Sequence, residues 1–309
     1  MPPDIHRNFD GIYAATVCPL LESGAIDEPA LARHLHEVAS VDGIAGLLIN
    51  GHAGENFMLE REAKARVVAI AREACPATSI LVCGINAEDS VEAQHHVDDA
   101  AHEGADAVLV FPPFSWALSQ DSEVALTHHR IANANSAMPL FLYQAGVRAG
   151  ALGYTPEVLE ALVQLPNVVG VKDGSWETAA YEANLRLVNR VAPHVAMMAS
   201  GDEHLLTCFA IGSRGSLVSL ACVVPEFIVG LDRAIAAGDL PRARLWNERI
   251  YPLAKAIYGT APGGHANARL KTCLKLLGKL DNDRMRPPMG PLPEAEVAML
   301  ARALHAAGL

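Results

Sequence analysis

The chain is 309 residues long, 51% hydrophobic, 19% charged and 5% aromatic, which supplies a large core and excludes both a disordered chain and a disulfide-built miniature scaffold. The 24 basic and 35 acidic residues leave a formal net charge of −11, and there is no Lys/Arg run, so nucleic acid and anionic membrane surfaces are excluded as partners. Length alone fits one α/β barrel of roughly 250 residues with an appendage as well as it fits two domains.

In chain order, the opening segment Met1-Pro2-Pro3-Asp4-Ile5-His6-Arg7 lacks an apolar stretch of the secretory kind, and no apolar run reaches the ~18 residues of a membrane span. Short apolar, β-branched runs then alternate with longer amphipathic stretches, the pattern of βαβ units around a parallel sheet buried on both faces. The predicted strands are residues 12–17, 46–49, 80–83, 107–110, 140–143, 168–171, 195–198 and 217–220. Eight strands with helical segments between them predict a closed (β/α)₈ TIM barrel, and not an open doubly wound sheet. Helix starts are marked by Asp27-Glu28-Pro29 before residues 30–38 and by Thr155-Pro156-Glu157 before residues 158–165. After Pro225 the pattern becomes helix upon helix, at 227–236, 240–258, 266–277 and 294–307. The predicted division is therefore a barrel over residues 1–231 and a C-terminal helical extension over 232–309.

The six cysteines (Cys18, Cys75, Cys83, Cys208, Cys222 and Cys273) show no C-x-x-C spacing and several sit in apolar stretches, which fits a reducing, cytoplasmic setting. Neighbouring histidines (His34 and His36, His95 and His96, His128 and His129) stand one or two residues apart, a spacing that does not share a helix face, so they read as packing or surface residues and not as metal ligands. The glycines at 259–264 lack the Lys-Ser/Thr ending of a phosphate loop and follow a helix instead of a strand.

In such a barrel the active site is built at the C-terminal strand ends. The sixth strand ends Val168-Val169-Gly170-Val171-Lys172-Asp173. Alternation puts Gly170 and Lys172 on one face, and a lysine aimed into the mouth would lose solvation, lower its pKa and become a nucleophilic amine able to form a Schiff base. The residues alone favour the blander reading, a lysine snorkelling to the rim, since exposure is the usual fate of lysine. The fifth strand ends at Tyr143, a phenol that either moves protons beside such a lysine or packs at a wet rim. The second strand runs into Gly51-His52-Ala53-Gly54-Glu55, a glycine-bearing turn whose backbone N–H groups can converge on a carboxylate.

Taken together these residues resemble the dihydrodipicolinate synthase/N-acetylneuraminate lyase family. The resemblance runs through Ala15-Thr16-Val17-Cys18-Pro19-Leu20, Gly51-His52-Ala53-Gly54-Glu55, Gly84-Ile85-Asn86, Tyr143, Gly170-Val171-Lys172-Asp173, Ser200-Gly201-Asp202 and Gly215-Ser216-Leu217-Val218-Ser219. It implies a (β/α)₈ barrel with a helical extension that forms a Schiff base with pyruvate or a related 2-oxo acid, needs neither cofactor nor metal, and assembles as a dimer or tetramer. It further implies that Lys172 forms the imine and Tyr143 transfers protons. The His52 and Ala53 amides would hold the carboxylate, Leu217 would line the substrate, and Arg148 would hold a second substrate's carboxylate.

The departures are informative. His52 and Ala53 stand where the family carries hydroxyl residues, and Phe114 stands where synthases carry a tyrosine contributed across a subunit interface. Gln144 and Gly146 replace the usual asparagine and proline. Phenylalanine moves no proton, so these changes point away from dihydrodipicolinate synthase activity. Gly174 stands where sialic-acid lyases have threonine, which disfavours a neuraminate substrate, and Lys172-Asp173-Gly174 is similar to members that dehydrate keto-deoxy sugar acids. The expected activity is aldol cleavage, condensation or dehydration. A catalytically silent barrel that binds a 2-oxo acid in a regulatory role is the alternative.

Overall fold

The computed structural model describes residues 7–119 and 121–309, so the segment 1–6 read above as untargeted lies outside the described residues. In chain order the elements are β1 (Gly11–Ala15), α1 (Glu28–Ala39), β2 (Ile44–Ile49), a 3₁₀ turn (His52–Gly54), α2 (Arg61–Ala74), β3 (Ile80–Ile85) and α3 (Ser90–His102). There follow β4 (Ala107–Val110), α4 (Trp116–Ser119), α5 (Ser122–Ala132), β5 (Leu140–Gln144), α6 (Pro156–Val163), β6 (Val168–Asp173) and α7 (Thr178–Val191). The rest is β7 (Ala196–Ala199), α8 (Leu205–Ala210), β8 (Gly215–Val218), α9 (Pro225–Ala236), α10 (Leu240–Ile257), α11 (Ala266–Leu276) and α12 (Glu294–Ala306). The eight strands close into a barrel in sequence order, all pairs parallel, as the strand count predicts.

The local signals work as written. Asp27 accepts the Ala30 N–H at 3.1 Å and Thr155 accepts the Val158 N–H at 3.4 Å, each with proline in the first turn of the helix it caps. The eighth strand, expected at 217–220, lies at Gly215–Val218, and Leu220 belongs to a 3₁₀ turn. The cause is a close backbone approach. Gly215 has φ of +150°, and a Cβ there would stand 2.0 Å from the Gly11 carbonyl oxygen, so a strand read from apolar runs misses the glycine that starts it. The first strand likewise begins at Gly11 and ends at Ala15, two residues short of the expected end.

Inside the barrel Phe141 lies over Gly170, where a Cβ would come 2.3 Å from the ring, and its edge meets Phe9 and Tyr13 at centroid distances of 5.6 and 6.3 Å. Gly170 therefore makes room for the aromatic floor beneath Lys172. Gly170→Ala should overpack this floor and lower stability by about 1–3 kcal/mol in a urea titration.

Helix α9 runs through residue 231, so the division expected there falls inside a helix. Helix α10 packs on α9 through Trp246, which lies against Gly230, and Arg249 sits 3.9 Å over the Phe227 ring. Helix α11 is pinned by the fully buried Arg269, which donates to Glu296 on α12 at 2.7 Å and to the Ile257 and Thr260 carbonyls at 3.0 and 2.8 Å. All six cysteines are free and buried. Among the described residues, no helix is long and apolar enough to cross a membrane and no cluster of three His, Cys, Asp or Glu side chains could hold a metal.

Candidate active site

The chain has six lysines, Lys64, Lys172, Lys255, Lys271, Lys275 and Lys279, and two of them, Lys172 and Lys271, are buried. Lys271 is engaged by Glu55 and by the Arg284 carbonyl at 2.7 Å, which leaves its nitrogen no freedom to attack a carbonyl. Lys172 sits near the end of β6, register-paired with Tyr143 on β5 and Met198 on β7. Burial pushes its amine down to about 8, against the opposing pull of Asp202. A neutral amine is thus within reach at physiological pH, which the rim-snorkelling alternative would not provide.

Tyr143 places its ring centroid 5.5 Å from the Lys172 Nζ, and burial pushes its phenol up to about 12, so it is a protonated donor in neutral solution. Its hydroxyl faces Gly174, where a Cβ would lie 3.3 Å away; a threonine at that position would crowd the phenol. Gln144, the residue replacing the usual asparagine, turns away and clamps Tyr154, accepting its N–H at 3.0 Å and donating to its carbonyl at 3.2 Å. That clamp anchors the end of β5 carrying Tyr143. Gly146, replacing the usual proline, leaves space for Trp176, whose Cδ1 would lie 3.3 Å from a Cβ there.

On the other side of Tyr143, the His52 ring stacks on Phe111 at 4.1 Å, lies 4.8 Å from Phe57, and meets Tyr143 edge-on at 5.2 Å. Burial and the neighbouring Lys172 cation hold this imidazole well below its usual range, so it is neutral. His52 and Ala53 are the first two residues of the 3₁₀ turn, and the first N–H groups of a helical turn have no partner inside it. These are the two amides the sequence assigned to a carboxylate.

The structure brings in groups to which the sequence reading assigned no role. Asp202, fully enclosed, accepts the Leu220 N–H at 3.0 Å, and burial pushes its carboxyl up beside Lys172. Ser219, just past β8, hydrogen-bonds the Tyr258 hydroxyl, and Trp176 lies 5.2 Å from the Tyr258 ring in a left-handed conformation with φ of 58°. Its carbonyl is held by His204 Nε2 at 3.0 Å. A bulky residue in that region is an outlier maintained by its surroundings. The only sequence signal for Tyr258 is its place before a glycine-rich break, which names no partner.

Three other residues from the sequence reading are placed as follows. Arg148 is exposed on the 3₁₀ turn Val147–Leu152. Leu217 is fully buried inside β8, register-paired with Tyr13. Phe114 is 61% exposed on a loop whose Phe114 and Ser115 N–H groups are held by Glu88 at 2.7 and 3.0 Å.

Residues 8–307 match the Dihydrodipicolinate synthetase family. The 4-hydroxy-tetrahydrodipicolinate synthase of Parasynechococcus marenigrum is 32% identical over 302 residues, covering 96% of this chain and 95% of its own length. The enzyme of the same description from Phenylobacterium zucineum is 31% identical over 301 residues, covering 97% and 98%. Among solved structures, dihydrodipicolinate synthase from Thermotoga maritima has a TM-score of 0.88 at 21% identity, covering 98% of this chain and 99% of that one. A prophage protein of the dihydrodipicolinic acid synthase family from E. coli K12, solved in complex with pyruvate, has a TM-score of 0.88 at 21% identity, covering 98% and 100%. At that identity the structural likeness speaks to the fold. Members of the matched family are lyases that use Schiff-base chemistry with pyruvate. By a match spanning residues 8–307, this chain belongs to the dihydrodipicolinate synthetase family.

Proposed function

We propose that this chain is a Schiff-base lyase acting on pyruvate or a related 2-oxo acid, in aldol cleavage, condensation or dehydration of a keto-deoxy sugar acid or similar partner. The observation that carries the reading is Lys172, buried on β6 with its amine shifted toward neutrality and the Tyr143 phenol alongside. In this reading the His52 and Ala53 N–H groups hold the carboxylate and Lys172 attacks the ketone. Tyr143 passes the proton that leaves with water from the carbinolamine, and then serves the carbon–carbon or carbon–oxygen step. In a chain with a net charge of −11, capture of the anionic substrate falls to the backbone amides of this one turn and to whatever proton Lys172 keeps against its burial.

Dihydrodipicolinate synthesis is not the activity we infer, although curated relatives carry that name. Phe114 supplies no hydroxyl, and the second-strand turn offers an apolar-stacked, neutral His52 in place of a hydroxyl relay. The same two features favour a second reading, a catalytically silent barrel that binds a 2-oxo acid for regulation. Incubation with pyruvate and borohydride, followed by intact mass and a turnover panel of sugar acids and aldehydes, separates them. A reduced adduct with turnover supports the lyase, an adduct without turnover the binding role, and no adduct with any 2-oxo acid overturns the Schiff-base reading.

Arg148 is proposed to hold the second partner's carboxylate with its planar fork. Arg148→Ala should raise KM for dicarboxylate or semialdehyde-acid partners about tenfold while leaving pyruvate imine formation unchanged. Equal loss of both would refute the assignment. The exposed Phe114, Leu118 and Val147 support a dimer or tetramer, which sedimentation of the purified protein would test. Six buried free thiols support a reducing, cytoplasmic setting.

A further inference from the structure

The turn that offers the His52 and Ala53 amides is short of internal support. Its own backbone bonds are Gly54 N–H to Gly51 and Glu55 N–H to His52, each 3.0 Å, a longer Asn56 N–H to Gly51 at 3.4 Å and Met58 N–H to Glu55 at 2.8 Å, and Glu55 sits in the left-handed region at φ of 57°. Its side-chain support comes from more than 200 residues away. Asn267, at the start of α11, donates its side-chain amide to the His52 carbonyl at 2.7 Å. One helical turn further, the fully buried Lys271 donates to the Glu55 carboxylate, whose other oxygen accepts the Arg286 N–H at 3.2 Å.

The first of these contacts has a geometric effect on the cradle. The His52 carbonyl and the Ala53 N–H belong to one planar trans peptide and point in opposite directions. A grip on the carbonyl therefore aims the N–H. We propose that Asn267 is a positioning residue for the 2-oxo acid: it fixes the orientation of the His52–Ala53 peptide so that the Ala53 N–H faces the substrate carboxylate, with the Lys271–Glu55 pair anchoring the turn to α11. This rests on the reading of that turn as the carboxylate cradle. It gives the helical extension a part in substrate binding.

The test uses the full chain and the variants Asn267→Ala and Asn267→Asp, the second keeping the side chain's shape without its donor. Borohydride trapping is titrated with pyruvate and, in parallel, with acetone, a ketone that has no carboxylate. The pyruvate concentration for half-maximal adduct should rise about tenfold in both variants, with the saturating rate and its pH midpoint unchanged, and the preference for pyruvate over acetone should fall by the same factor. A merely structural role would weaken both ketones alike, and that result, or a pyruvate shift below twofold in either folded variant, would overturn the proposal. If the unaltered protein traps no pyruvate, the cradle reading itself fails and this proposal fails with it; a trapped wild type with unaffected variants rejects Asn267 alone.

Discussion

Replacing Lys172 with methionine is expected to end imine formation and, in the same protein, to raise stability at neutral pH. Loss of the nucleophile should cut turnover by about 10⁴-fold or more, since no other group supplies the covalent step. The stability gain follows from the direction of the pKa shift. The unfolded chain holds the lysine proton up to its ordinary value of 10.5, whereas the folded chain releases it near 8. Below about 8 the folded protein therefore bears the whole cost of enclosing a cation, and that cost declines as pH rises from 8 toward 10.5. Methionine has similar length and no charge, and it should add about 2–3 kcal/mol at pH 7, with the difference shrinking by pH 10. Urea titrations at the two pH values measure it. A variant less stable than the parent at pH 7 would mean that the amine is held by a favourable charge pair, not strained by burial.

The second large effect is expected of Tyr143→Phe. If the phenol moves protons at the imine, turnover should fall by about 10²- to 10⁴-fold while the borohydride adduct still forms at high pyruvate. Because burial pushes the phenol up to about 12, it stays protonated from acid to mildly alkaline pH, and raising the pH should not restore the lost activity. The ring's contacts with His52 and Phe111 survive the change, so stability should move little. A loss of less than threefold would make Tyr143 the packed rim tyrosine that the isolated strand also allows.

The barrel was legible because buried parallel strands must be apolar on both faces, and eight such runs stand out between amphipathic stretches. The positions of Lys172 and Tyr143 stand out for the same reason, each a polar residue interrupting a strand at the end where such barrels build chemistry, but their roles came from the family resemblance, because the residues alone also allow a rim lysine and a packed tyrosine. Gly11 and Gly215 misplaced two strand boundaries, since their role is a backbone approach that leaves no trace in hydrophobic pattern. Asn267 and Lys271 could not be placed beforehand. They act on His52 and Glu55 across separations of 215 and 216 residues, and nothing in an amphipathic helix says which distant turn its polar face will grip. Gln144 and Gly146 looked like eroded motif positions, whereas one clamps Tyr154 and the other admits Trp176.

The most direct test of Lys172 as a desolvated nucleophile is peptide mapping of the pyruvate adduct trapped by borohydride at a series of pH values. The expected result is one modified peptide, carrying Lys172 and none of the other five lysines, with an initial trapping rate that rises through a midpoint near 8. An adduct spread over the exposed lysines, or a midpoint near the ordinary lysine value of 10.5, would contradict the account.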